Sequence, residues 1–166
     1  MDINTILNNP TNIVLAVILV DIIALVLAKT NLVGKVLQDW YQKFTIGAFV
    51  ADVSSISFGI FLSLLIFKYA LPKSFNLGTF ILSVIIIQLI HDSLFAFLII
   101  NYPKNNNNMI DLFKSYINEN DWKILLVDAS MMTLSVLLIY LFYQVDNVII
   151  YTLLAFSLYF AMFFIY

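Results

Sequence analysis

Residues 77–102 read LGTFILSVIIIQLIHDSLFAFLIINY. At about 1.5 Å of rise per residue, such a run crosses the roughly 30 Å hydrocarbon core of a bilayer as one helix. It contains no proline or lysine, and residues 81–87 are apolar almost without a break. A strand of a membrane barrel would instead alternate polar and apolar residues over a short segment, so the run reads as a helix. Four further stretches share its character: 13–33, 44–67, 122–143 and 148–166. In the first, Asn9 is placed as N-cap and Pro10 at the first helical position, where a missing N–H costs nothing. The pattern predicts an all-α, polytopic membrane helical bundle of five transmembrane helices, forming one integral membrane domain over residues 1–166.

Composition agrees. The chain is 63% hydrophobic and 11% charged, with a mean hydropathy of +0.99. Ordinary soluble domains run about 45–50% apolar and about 25% charged, so this chain cannot cover a water-facing surface. The absence of cysteine removes disulfide scaffolds, thiolate metal sites and cysteine nucleophiles. Eight lysines without arginine, against nine aspartates and one glutamate, give a net charge of -2. That balance offers no basic surface to nucleic acid, so the expected partner is the lipid bilayer, with a second copy or another membrane protein beside it. The start, Met1-Asp2-Ile3-Asn4, lacks a positive region, and no small-x-small site follows the first apolar run, so no cleaved signal peptide is expected.

Lysine placement predicts orientation, because short lysine-rich loops stay cytoplasmic. The connections between spans one and two and between three and four hold Lys29, Lys35, Lys43, Lys104, Lys114 and Lys123, whereas the opposite side has Lys68 and Lys73. The N-terminus is therefore expected outside or lumenal and the C-terminus cytoplasmic. Each lysine-rich connection also carries apolar residues at helical spacing. These are Val36, Leu37, Trp40, Tyr41 and Phe44 in the first, and Met109, Ile110, Phe113, Tyr116 and Ile117 in the second. Two short interfacial amphipathic helices are expected to lie on the headgroups, the second capped by Asn108 after a flexible turn over residues 105–108, with Lys114, Asn118 and Glu119 facing water. Partner docking is the alternative for both.

Four aspartates fall inside the spans: Asp21, Asp52, Asp92 and Asp128. A charge at the bilayer centre costs about 2.5–3.5 kcal/mol on insertion scales, so such groups face the bundle interior for a reason. All four lie within about 9–16 Å of the lysine-rich ends of their spans, which places them in one layer. Ala48, Asp52, Ser55, Gly59 and Ser63 form one small or polar stripe; Gln88, His91, Asp92 and Phe95 form another, and Asp128 sits over Met131, Met132 and Ser135. No lysine reaches this depth, so the carboxyls cannot all be ion-paired. Three roles follow. The layer of Asp21, Asp52, Ser55, Gln88, His91, Asp92, Asp128 and Ser135 can tie the bundle together by hydrogen bonds, relay protons or cations, or hold a divalent metal through His91, Asp52, Asp92 and Asp128.

Catalytic motifs are missing: there is no Gly-x-Gly-x-x-Gly, P-loop, Gly-x-Ser-x-Gly or His-Glu-x-x-His. His91-Asp92 is a dipeptide whose side chains leave the helix about 100° apart, not by itself a base with its orienting acid. No cofactor and no catalytic residue is expected. A repeat joins Asp39-Trp40 and Asp52-Val53-Ser54 to Asp121-Trp122 and Asp128-Ala129-Ser130, at unequal spacing. Parallel repeats are a transporter device, and chance in a biased composition is the competing reading.

The segments Asn9-Pro10-Thr11-Asn12, Gln88-Leu89-Ile90-His91-Asp92, Asp111-Leu112-Phe113-Lys114 with Tyr116, and Trp122-Lys123-Ile124-Leu125 leading to Asp128 and Met131-Met132 resemble uncharacterised multi-pass membrane proteins of nucleocytoplasmic large DNA viruses. The resemblance covers the first four spans. It implies an endoplasmic-reticulum-derived or internal virion membrane, and no particular reaction. Together these readings favour a structural or assembly component of a cellular or viral membrane, with proton or cation translocation second and an intramembrane metal-dependent enzyme third.

Overall fold

The computed structural model describes residues 2–30, 35–120 and 122–166. Eight helices run through them: α1 (Ile3–Asn8), α2 (Pro10–Lys29), α3 (Lys35–Phe44), α4 (Ile46–Tyr69), α5 (Leu77–Asn101), α6 (Asn108–Asn120), α7 (Lys123–Phe142) and α8 (Asn147–Ile165), with a 3-10 turn at Pro72–Ser74. Five of these, α2, α4, α5, α7 and α8, are long and apolar enough to cross a membrane. They are the five expected spans with their ends shifted by a few residues; the last part of the first expected span, 31–33, lies outside the described residues.

Local chemistry sets the ends. Pro10 opens α2 and Asn9 is its N-cap residue, but the Asn9 side chain makes no capping bond: its amide donates to the Thr5 carbonyl at 2.9 Å. That bond ties α2 to α1, a short helix capped by Asp2, which accepts from the Thr5 N–H at 3.2 Å. A reciprocal capping box starts α5, with the Thr79 N–H donating to Asn76 Oδ1 and the Asn76 N–H to Thr79 Oγ1, each at 3.0 Å. The cap of α6 is Asn107 rather than Asn108. Its Oδ1 accepts from the N–H groups of Met109 at 2.9 Å and Ile110 at 3.2 Å. The turn before it is held rather than loose, because Asn105 takes φ of 66° and its N–H donates to Asp111 Oδ2 at 2.9 Å.

Helices α2, α4, α5 and α7 close a ring, each packed on the next, and α8 lies outside it against α2. Chain direction brings the ends of α2 and α5 and the starts of α4 and α7 to one end of the bundle. There α3 and α6 touch each other and lie across the ring. Their apolar faces turn inward, which corrects the expectation that they rest on headgroups. Trp40, Tyr41 and Leu112 are buried, and the Phe113 ring sits 4.6 Å from Trp40 and 5.4 Å from Phe95. The cause is that Trp and Tyr bring both a large apolar ring and a donor, and the bundle end offers apolar surface with carboxyl acceptors beneath it. Glu119 fastens the pair by accepting from the Val36 N–H at 3.1 Å. Of the residues expected to face water, Asn118 and Glu119 do; Lys114 is half-buried and donates to the Tyr102 carbonyl.

The contact pattern has an approximate two-fold character. The unit α2–α3–α4 is repeated by α5–α6–α7, with α2 on α7 matching α5 on α4, and α3 meeting α6. The match does not run through the Asp-Trp pairs, since Trp40 is buried whereas Trp122 is 59% exposed, and Asp121 lies outside the described residues. It runs through Asp21, Tyr41 and Asp52 in the first unit and Asp92, Tyr116 and Asp128 in the second.

Candidate functional site

Spans α2 and α4 deliver the first two carboxyls beneath α3. Asp21 is 0% exposed, with its Oδ1 3.1 Å from the Tyr41 hydroxyl and its Oδ2 buried without a hydrogen bond. Asp52 Oδ2 accepts from the Trp40 indole N–H at 3.0 Å and lies 2.9 Å from the same Tyr41 hydroxyl. Two hydrogen bonds thus join Asp21, Tyr41 and Asp52, and the phenol supplies one hydrogen. Both carboxyls therefore converge on the one phenolic hydrogen. Burial, then the Asp52 and Asp21 charges, hold the Tyr41 hydroxyl well above its ordinary range, so it stays a donor.

Spans α5 and α7 deliver the other two. Gln88 Nε2 donates to Asp92 Oδ1 at 2.7 Å, the one-turn pairing that their spacing predicts. His91 Nδ1 lies 3.1 Å from the same oxygen, and its ring stacks on Phe95 at 5.7 Å. The dipeptide is therefore a contact pair after all: stacking on Phe95 holds the imidazole edge-on to its neighbour. Asp92 Oδ2 is buried without a hydrogen bond. The carboxyl of Asp128 on α7 meets that of Asp92 in a carboxyl–carboxyl hydrogen bond, and the Asp52 charge also acts on Asp128. Above them on α6, burial and the charges of Asp128, Asp52, Glu119 and Asp92 hold the Tyr116 hydroxyl above its ordinary range.

A cavity of about 610 Å³ opens between α4, α5 and α7 on one side and α3 and α6 on the other. Asp52, Ser55, Gln88, His91, Asp92 and Asp128 all line it. Asp21 and Ser135, placed in the same layer from sequence, do not. Asp21 is behind Tyr41, and the Ser135 hydroxyl donates to the Met131 carbonyl of its own helix at 2.8 Å, below the cavity. The metal set does not assemble: among the described residues no three His, Cys, Asp or Glu side chains come together where they could hold an ion. Trp40, Tyr41 and Tyr116 are the site residues that sequence reasoning placed only on an apolar face. Carboxyls at this depth without lysine partners were the available signal that donors had to come from the neighbouring amphipathic helices.

Beyond the cavity the ring is packed. Ile60, Leu64, Phe80, Val84, Val136 and Ile139 form one buried apolar cluster. The small stripe of α4 faces into this region: a Cβ on Gly59 would meet Met132 Cε at 2.7 Å, and the Ser63 hydroxyl donates to Ser83 Oγ at 2.8 Å. Asn12 is also buried here: its amide donates to the Phe142 carbonyl at 3.2 Å, while its Oδ1 has no hydrogen bond. Comparison with protein-family models, with curated proteins and with solved structures gives no match.

Proposed function

We propose that the protein is a non-conducting structural or assembly component of a membrane, in which the carboxyl layer fastens α3 and α6 onto one end of the bundle. The observation that carries this reading is the blind floor of the layer. A translocation route needs polar or hydrated groups through the whole thickness, and below Gln88 the ring offers the apolar cluster around Ile60, Val84 and Val136, interrupted by Ser63 and Ser135, whose hydroxyls bond to Ser83 and to the Met131 carbonyl. The layer's hydrogen bonds fit a fastening role, since Trp40 and Tyr41 of α3 bond directly to Asp52 and Asp21. Among the described residues no three ligand side chains come together to support a metal-dependent reading.

The native setting that fits the sequence resemblance is an endoplasmic-reticulum-derived or internal virion membrane. Lysine placement supports a cytoplasmic C-terminus. Exposed apolar faces of α5 and α8, including Leu82, Ile86, Phe156 and Phe163, suit lipid, a second copy or another membrane protein. The test is proton and cation flux into liposomes carrying the purified chain. Flux equal to that of protein-free liposomes is expected. Gradient-driven flux that Asp52→Asn and Asp92→Asn abolish would overturn the proposal.

A further inference from the structure

We propose that the cavity beneath α3 and α6 binds an amphiphile bearing an ammonium group and no phosphate. Its volume of about 610 Å³ falls within the roughly 300–1,000 Å³ usual for small-molecule sites. Its chemistry is divided. One wall presents the carboxyls of Asp52, Asp92 and Asp128, brought from three different helices. The facing wall presents the aromatic rings of Trp40, Phe113 and Tyr116 on the two cap helices.

Asp92 supplies the specific need. Gln88 and His91 both occupy Oδ1, Oδ2 is buried with no N–H donor, and what faces Asp92 from α7 is a second carboxyl, Asp128, hydrogen-bonded to it. Two buried carboxyls in contact cannot both ionise unaided, and a cationic donor arriving in the cavity relieves that. An ammonium group brings several N–H donors together with the charge that lets one carboxyl stay ionised away from water. Aromatic faces opposite favour the same cation. The lining described here includes no lysine, so a phosphate on the ligand would meet carboxyls and nothing cationic to balance it except His91. That excludes phospholipid headgroups in favour of a simple lipophilic amine.

The mouth of the cavity fits an apolar tail. Phe95, Trp122 and Val127 line the cavity and are also 41%, 59% and 47% exposed, so the rim between α5 and α7 is apolar on the outside of the bundle. An amine with an alkyl chain can seat its head at Asp92 and Asp128 and leave the chain along this rim.

Both tryptophans of the chain, Trp40 and Trp122, line the cavity, so intrinsic fluorescence reads its occupancy. The experiment titrates dodecylammonium chloride into phosphatidylcholine vesicles holding the full chain, with dodecanol and dodecanoate at equal bilayer loading. A saturable change in tryptophan emission is expected with the amine alone, weakened about tenfold or more by Asp92→Asn and by Asp128→Asn. An equal response to dodecanol would show partitioning into lipid and overturn the proposal; this arm uses the unaltered chain and stands even where a variant fails to fold. Loss of the amine response when phosphatidylethanolamine replaces half of the phosphatidylcholine would overturn the exclusion of phosphate-bearing headgroups.

Discussion

Removing the Tyr41 hydroxyl while keeping its ring leaves Asp21 with neither oxygen hydrogen-bonded among the described residues, at a position with no access to water. Tyr41→Phe is therefore expected to destabilise the folded chain by about 1–3 kcal/mol, the usual cost of stranding a buried polar group. Asp52 loses one contact and keeps the Trp40 indole. Adding Asp21→Leu to Tyr41→Phe should recover most of the loss, because replacing both partners by apolar groups removes the stranded acceptor. Denaturation of the four proteins in mixed micelles measures the cycle, and strictly additive losses would sink the pairing. This residue-level wiring was only half visible in the sequence. Gln88 and Asp92 stand one turn apart on one helix, so their contact follows from helical geometry. Asp21 and Tyr41 stand on different helices, and their meeting depends on the rotation of α2 about its axis, which an all-round apolar span does not encode.

At the level of elements, the five spans follow from length and apolarity because lipid forces the backbone to satisfy itself within each helix. Short elements escape that constraint: α1 and the turn at Pro72–Ser74 are too brief to show a period, and α1 exists because Asp2 and Asn9 happen to bond its ends. Amphipathic spacing located α3 and α6 but could not say what their apolar faces would meet. Each now carries a tyrosine held above the ordinary value of 10.0 by burial first and neighbouring carboxylates second. The folded state keeps these phenolic protons where the unfolded chain releases them. Their contribution to stability is thus intact below about pH 10 and declines as pH rises beyond it, by about 1.4 kcal/mol per pH unit for each tyrosine. Circular dichroism and Trp40 emission during alkaline titration should show the cap loosening in that range. The double variant Tyr41→Phe/Tyr116→Phe isolates the lysine contribution, and a slope unchanged in it would refute the assignment.

Across the whole molecule, the cap gives the bundle two unlike ends. Lys29, Lys35, Lys43, Lys104, Lys114 and Lys123 belong to the end covered by α3 and α6, while Lys68 and Lys73 belong to the end closed by Phe67, Phe75 and Phe80. The contact between α3 and α6 requires both lysine-rich connections to lie on one side of the membrane, whichever side that is. In the proposed orientation, retention of lysine places the cap at the cytoplasmic end. The chain has no cysteine, so single replacements report sidedness without background. Gln42→Cys and Asn106→Cys lie at exposed cap-end positions, and Asn4→Cys and Ser74→Cys at exposed positions of the other end. In sealed right-side-out vesicles an impermeant maleimide should label the second pair and spare the first until the membrane is permeabilised. Labelling of all four before permeabilisation would mean that the bundle does not span the bilayer as an ordered ring. Labelling of Gln42→Cys and Asn106→Cys alone would keep the fold and invert it, placing the acidic cavity on the outer or lumenal face.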